Sequence, residues 1–167
     1  MIEKNVVALG LGSNATWNGM ESLEILKKAC EKLRPLFQNF ALSSVYRTKP
    51  MYVENQADFL NLVLVGTILD KITPRILLEK IHEIERSLGR NRSLEIRNGP
   101  RSIDIDIEIF GNEKIHEIDL QIPHPRIFER AFVCVPLTEV SPKIAENFAF
   151  PVFPQKDVER VFPPFLI

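Results

Sequence analysis

Apolar and polar positions divide the first two thirds of the chain into strand-like and helix-like segments. The apolar run "VVALGLG" at 6–12 is typical of a buried strand, and 40–47 and 59–69 also have strand character. Apolar residues recur at helical spacing over 17–34 and 73–89. In the second helix Thr73 is suited to the N-cap and Gly89 to the C-terminal end. With a last strand at 103–109, the predicted order is β-α-β-β-α-β.

This order is that of a ferredoxin-like α+β fold, in which helices pack on one face of an antiparallel sheet. Residues 123–140 are expected to be partly helical. Residues 143–167 combine prolines with phenylalanines, so we expect a C-terminal extension that wraps the domain in extended form. No linker or internal repeat is visible, and the sequence therefore predicts a single domain over 1–167.

The stretch "GPRSIDIDIEIFG" at 99–111 alternates isoleucines with acidic residues. A strand would direct Ile103, Ile105, Ile107 and Ile109 toward the helices, and the acidic residues toward an open face.

Carboxylates in a row on one strand face repel each other, so a bound cation would explain them. Asp104 and Asp106 offer only oxygen ligands, which favour Mg²⁺ over zinc. The alternative is an acidic strand face in water, and Glu108, further along, is expected at the surface. We also expect that replacing either aspartate by Asn leaves the metal-free protein equally or more stable, because repulsion is relieved.

A cationic segment precedes this strand. Residues 86–101 hold five arginines against the single acidic residue Glu95. Arginines beside a magnesium site are suited to a polyphosphate, because guanidinium groups bind phosphate oxygens in pairs. A solvated basic loop is the alternative. The five arginines are Arg86, Arg90, Arg92, Arg97 and Arg101.

Composition narrows the function classes. The 167 residues carry a net charge of −1, which offers no general attraction for nucleic acid or anionic membranes. The N-terminus lacks the apolar core of a signal peptide, and no apolar run has the length of a membrane span. Cys30 and Cys134 lie far apart among apolar residues and are expected as buried free thiols. We expect a cytoplasmic protein, monomeric or at most a weak homodimer.

Two other functions compete with phosphate chemistry. "GLGSNA" at 10–15 matches the dinucleotide fingerprint of oxidoreductases, but Glu31 lies in a helical stretch where a second strand should end. The β-α-β-β order also breaks the parallel pattern of that fold. A ferredoxin-like module that binds a small ligand without chemistry is the other alternative, although it would need neither the aspartate pair nor the arginines.

Six segments together resemble the 6-hydroxymethyl-7,8-dihydropterin pyrophosphokinase family of folate biosynthesis. They span roughly residues 6 to 142 and read "LGLGSN", "SSVYRTKP", "DFLNLV", "GRNR", "NGPRSIDIDIEIFG" and "IPHPRIFERAFVCVPL". The resemblance implies an ATP-dependent transferase that moves pyrophosphate from ATP to the hydroxymethyl group of a reduced pterin and releases AMP.

The resemblance also assigns roles to individual residues. Asp104 and Asp106 match two aspartates that hold a pair of Mg²⁺ ions, and Arg90 and Arg101 match catalytic arginines of a mobile loop. The implied ATP-binding residues are Glu85, Arg92, Arg101, His124 and Arg130. The implied pterin-binding residues are Thr48, Phe59, Asn61 and Phe132.

The chain departs from the family pattern at three positions. Asn98 stands where many members have Trp, Phe59 where some have Tyr, and Pro125 where some have Tyr. Position 98 therefore offers no loop aromatic to close over the pterin.

Overall fold

A six-stranded antiparallel sheet lies at the centre of the structure, a computed structural model that describes residues 1–51, 53, 55–96 and 98–167. Its strands are β1 (Val6–Ser13), β2 (Phe37–Leu42), β3 (Val45–Thr48), β4 (Phe59–Ile68) and β5 (Asp104–Phe110), with β8 (Glu159–Phe162) at one edge. The order is β5-β1-β4-β3-β8, and β2 also pairs with β4. A separate small hairpin consists of β6 (Ile115–His116) and β7 (Gln121–Ile122).

Two helices, α1 (Ser22–Leu33) and α2 (Pro74–Ser87), cover one face of the sheet. The side chain of Thr73 caps α2 by accepting a hydrogen bond from the Ile76 N–H, and Gly89 follows the helix with φ +89°. Both predicted helix ends are thereby confirmed. The main apolar core lies between these helices and the sheet.

The prediction that helices pack on one face alone is wrong. Helix α3 (Ala131–Val140) and helix α4 (Pro142–Phe148) form a second apolar cluster on the other face, where Val133 and Leu137 meet Ala8 and Val63. The physical reason is that β1 and β4 are apolar on both faces, so each face needs cover. The mixed architecture, an antiparallel sheet with helices, is as predicted. Short 3₁₀ turns at Arg34–Leu36, Ile127–Glu129 and Gln155–Asp157 complete the elements.

A register shift in β5 changes the direction of its side chains. Leu9 of β1 pairs with Ile107, but Ala8 pairs with Ile109, so Glu108 has no partner on β1. One extra residue in a strand is a β-bulge, which bends the strand and redirects the residues after it. Ile109 therefore joins the cluster under α3, and the prediction that all four isoleucines face α1 and α2 is wrong for this residue.

The C-terminal residues are only partly extended, because α4 occupies Pro142–Phe148. Further on, β8 pairs with β3, where Val45 lies opposite Phe162. Cys30 and Cys134 are free and buried, as predicted. Within the described residues, no helix combines the length and the apolar character that crossing a membrane would require.

Candidate active site

A pocket lies over β1, β4 and β5 where glycines replace side chains. A Cβ atom on Gly10 would lie 2.9 Å from Glu108 Oε1, and one on Gly12 would lie 3.0 Å from Asn61 Oδ1. Only glycine leaves this floor open to neighbouring polar groups. The pocket brings together eight of the residues proposed from sequence, namely Thr48, Phe59, Asn61, Arg101, Asp104, Asp106, Arg130 and Phe132.

Both carboxylate oxygens of Asp104 are paired with arginines. Arg90 Nη1 donates to Oδ1, and Arg101 Nη1 donates to Oδ2 at 2.9 Å. Burial alone would raise the pKa of Asp104, but the guanidinium groups of Arg90 and Arg101 outweigh it and hold this pKa below its usual range. The expectation of uncompensated repulsion at Asp104 is therefore wrong.

Glu85 of α2 connects the helix to β5 and to the cationic residues 86–101, which we call the arginine segment. Its Oε1 accepts hydrogen bonds from Arg90 Nη1 at 2.6 Å and from the Ile105 N–H at 2.9 Å, and its Oε2 accepts one from Arg92 Nη2 at 2.7 Å. Burial raises the pKa of Glu85, and the two arginines oppose that rise. Glu85, Arg90 and Arg92 line a neighbouring cleft beside Trp17 rather than the pocket itself.

Glu108 is fully buried and lines the pocket, so its predicted surface position is wrong. The Glu108 side chain lies over Gly10, on the sheet face that α3 covers, and this cover removes it from the surface. Arg130 Nη1 lies 3.4 Å from Glu108 Oε1 and 2.6 Å from Asp106 Oδ2. Burial, followed by the nearby charge of Asp106, raises the pKa of Glu108 to about 8.

Two phenylalanines supply flat apolar surface to the same pocket. The guanidinium carbon of Arg101 lies 5.7 Å from the ring centroid of Phe59, and that of Arg130 lies 5.6 Å from the ring of Phe132. These are cation–π distances. The pocket thus places cations, carboxylates and aromatic rings within reach of one ligand.

Polar side chains hold the ends of the arginine segment against the pocket. Asn14 accepts a hydrogen bond from the Arg101 N–H at 2.9 Å and donates to Gln56 Oε1 at 3.0 Å. Gln56 in turn donates to the Asn98 carbonyl at 2.9 Å. Asn98 has φ +60°, a conformation that Asn tolerates better than most residues. Sequence reasoning gave no role to Asn14 or Gln56, and Arg97 lies outside the described residues.

Two of the residues that the family resemblance assigns to pterin binding contact each other. Asn61 Nδ2 donates a hydrogen bond to Thr48 Oγ1 at 2.8 Å, which orients the Asn61 amide. Among the described residues, His124 is not one of those that line the pocket. Its backbone N–H donates to the Glu108 carbonyl at 2.9 Å, and its Nδ1 accepts from the Arg126 N–H at 3.1 Å. Burial, helped by the charge of Arg130, lowers the pKa of His124, so the neutral imidazole is favoured.

The donor set fits Mg²⁺ with few protein ligands. Among the residues that the structure describes, no group of three or more His, Cys, Asp or Glu side chains forms a metal cage. Mg²⁺ usually keeps several waters and binds to one or two carboxylates together with substrate phosphates. Asp104 and Asp106, which share one pocket with arginines, meet that requirement.

The fold and the site define a class: an α+β protein whose pocket combines an aspartate pair suited to Mg²⁺ with arginines suited to phosphate groups. The chain belongs to the 7,8-dihydro-6-hydroxymethylpterin-pyrophosphokinase family, whose model matches residues 8–142. The resemblance found in the sequence is confirmed.

Two bacterial relatives are named as pyrophosphokinases. A 2-amino-4-hydroxy-6-hydroxymethyldihydropteridine pyrophosphokinase of Bacillus subtilis is 44% identical over 106 residues, which cover 64% of this chain and 61% of that protein. One from Aquifex aeolicus is 38% identical over 138 residues, which cover 83% of this chain and 81% of that protein.

Longer proteins also contain the family's fold. The bifunctional protein FolKE of Lactococcus lactis is 45% identical over 100 residues, which cover 59% of this chain and 27% of that protein. A crystal structure of a Plasmodium falciparum HPPK-DHPS triple mutant matches with a TM-score of 0.61 at 17% identity, covering 85% of this chain and 42% of that one. At that identity the likeness shows the fold alone.

The raised pKa of Glu108 predicts a pH-dependent stability. A buried carboxyl with a pKa near 8 stabilises the fold below its unfolded pKa of about 4.5, and this contribution is lost as the pH rises through 8. Glu108→Gln removes the titration. Urea unfolding should show that the variant gains roughly 4 kcal/mol relative to the parent between pH 4.5 and pH 9, since each pH unit corresponds to about 1.4 kcal/mol. A difference that does not change with pH would show that Glu108 is ionised in the fold.

Proposed function

We propose that the chain transfers pyrophosphate from ATP to the hydroxymethyl group of 6-hydroxymethyl-7,8-dihydropterin, releasing AMP, in folate biosynthesis. The observation that carries the proposal is one pocket that combines Asp104 and Asp106 with Arg101, Phe59 and Phe132. Family membership supports the same activity.

Asp104 and Asp106 are proposed to hold two Mg²⁺ ions. Bound there, the metal supplies positive charge to the phosphate oxygens of ATP. Each aspartate is paired with arginine, so metal binding requires that guanidinium groups leave the carboxylates. Arg90 and Arg101, once released, would be beside the phosphates that the metal holds.

The ATP site is proposed to extend from the pocket into the cleft beside it. Arg92 and Arg130 would bind phosphate oxygens, and Arg90 and Arg101 would stabilise the charge that develops during transfer. Glu85 anchors Arg90 and Arg92, and its role toward ATP would therefore be to keep these arginines near the phosphates. His124, neutral and with its Nδ1 accepting from the Arg126 N–H, would donate one hydrogen bond from Nε2.

The pterin is proposed to lie against Phe59 and Phe132, because a flat heterocycle gains most from aromatic faces. Asn61, oriented by Thr48, would recognise its polar edge. Asn98 lines the pocket at the position where many family members have Trp, so this chain would close that side with a polar group.

The remaining features of the proposal concern the whole protein. With β2 and β3 taken as one interrupted strand, the order β5-β1-β4-β3 supports a ferredoxin-like core. Residues 1–167 would form a single domain, with 143–167 as an extension that adds β8. We further propose a monomer, or at most a weak homodimer, in the cytoplasm.

An AMP-release assay tests the proposed activity. With ATP, Mg²⁺ and 6-hydroxymethyl-7,8-dihydropterin, the parent chain should release AMP in step with pyrophosphorylated pterin. Asp104→Asn and Asp106→Asn should each lose nearly all activity, because a divalent cation would lose a ligand. ADP in place of AMP, or full activity in either variant, would contradict the proposal.

Arginine and aromatic variants should separate chemistry from binding. Arg90→Ala and Arg101→Ala should lower kcat by about 10²-fold or more, the scale of losing one strong transition-state donor, with less change in ATP affinity. Phe132→Ala should instead weaken pterin binding by roughly 1–3 kcal/mol through lost stacking and buried area. Steady-state kinetics with equilibrium binding measure both effects. Arginine variants that lose affinity but keep kcat would indicate a static phosphate clamp.

A further inference from the structure

Arg130 lies between two carboxyl groups of β5, those of Asp106 and Glu108, which differ in their surroundings. We propose that Glu108 is a positioning residue whose carboxyl group accepts the hydrogen bond of Arg130 when a divalent cation binds Asp106. This inference rests on the proposed function. Neither sequence reasoning nor the likeness to known proteins gave Glu108 any role.

One nitrogen atom of Arg130 lies within reach of the carboxyl groups of both Asp106 and Glu108. Arg130 Nη1 is 2.6 Å from Asp106 Oδ2 and 3.4 Å from Glu108 Oε1, so a shift of under 1 Å toward Glu108 would replace one hydrogen bond by the other. Glu108 Oε2 is buried and accepts no hydrogen bond from any described residue. Glu108 can therefore take a second donor from the same guanidinium.

The surroundings allow this exchange without a change of the backbone. Glu108 lies over Gly10, and the Glu108 carbonyl is fixed by the His124 N–H. The guanidinium of Arg130 lies over the ring of Phe132, an apolar face that tolerates a small slide of the cation. Movement is thus required only at the end of one side chain.

The exchange gives the displaced guanidinium a hydrogen-bond acceptor. A cation that binds Asp106 displaces Arg130, whose side chain is only 15% exposed, and a buried guanidinium without an acceptor is costly. Asp104 has a comparable arrangement, because Arg90 already donates to Glu85 as well. In the described part of the chain, Glu108 is the other carboxyl group within 4 Å of Arg130.

The test measures how strongly nucleotide binding depends on Mg²⁺. Calorimetric titration of α,β-methylene-ATP at a series of free Mg²⁺ concentrations gives the concentration at which the gain in affinity is half-maximal. Glu108→Met, which has no oxygen acceptor, should raise that concentration by about 10-fold or more, the scale of one charge-assisted hydrogen bond. Glu108→Gln should raise it less, because its amide oxygen still accepts.

A double variant and a control isolate the contact. The Mg²⁺ half-point is the Mg²⁺ concentration at which the gain in nucleotide affinity is half-maximal. In an Arg130→Met background, adding Glu108→Met should leave this half-point unchanged, because the guanidinium group that Glu108 would accept is absent. Glu129→Gln removes an exposed carboxylate next to Arg130 that is paired with Arg126, and it should have no effect. Thermal melts establish that each variant is folded, and if Glu108→Met is not, the comparison of Glu108→Gln with and without Arg130 decides the question.

Two results would overturn the proposal. One is a folded Glu108→Met variant whose Mg²⁺ half-point equals that of the parent. The other is the same shift with and without Arg130, which would assign the effect to general electrostatics. In both cases the parent would still bind the nucleotide in a Mg²⁺-dependent way, so the proposed function would stand. A parent without any Mg²⁺ dependence would contradict both proposals.

Discussion

Carboxylates on the pocket face of β5 are compensated by arginines from two different parts of the chain. Asp104 is paired with Arg90 and Arg101 of the segment before the strand, and Asp106 is paired with Arg130 at the start of α3. The arginine segment, α3 and β5 are therefore joined by the same ion pairs that occupy the proposed metal ligands. A metal-bound nucleotide would have to take over these contacts, which couples ligand binding to the position of each arginine.

Backbone features make room for this arrangement. The glycines of β1 open the pocket floor, and Glu108, on the same strand face as Asp104 and Asp106, lies in the space above Gly10. A side chain on Gly10 would force Glu108 aside. The geometry of the charges therefore depends on the glycines of β1 and on the alternation of side chains along β5.

Periodicity and end signals predicted the central elements well. α2 begins and ends where Thr73 and Gly89 indicate, because capping is a local interaction. The sequence did not predict the helices α3 and α4 on the second face of the sheet, because their packing depends on which strands are apolar on both faces. The helix at Pro142–Phe148 was missed because the proline content of the C-terminal residues favoured extended chain.

At the candidate site, the sequence showed which charged residues cluster along the chain, but not which of them form ion pairs. The carboxylate row and the cationic segment are visible as patterns, yet the ion pair between Asp106 and Arg130 joins residues 24 positions apart. The burial of Glu108 follows from the cover that α3 gives to the second face of the sheet, which no local pattern records. Repulsion was expected at Asp104 because its arginine partners could not be placed from sequence.

The central claim, that arginines stabilise the carboxylate row without metal, is tested most directly by urea unfolding of Asp104→Asn at pH 7 in EDTA. Loss of the pairs with Arg90 and Arg101 should lower the free energy of unfolding by roughly 1–3 kcal/mol. Asp58→Asn, which breaks a pair with the exposed Lys49, is the matched control and should cost less than about 1 kcal/mol. An Asp104→Asn variant as stable as the parent, or more stable, would contradict the claim and restore repulsion as the dominant force.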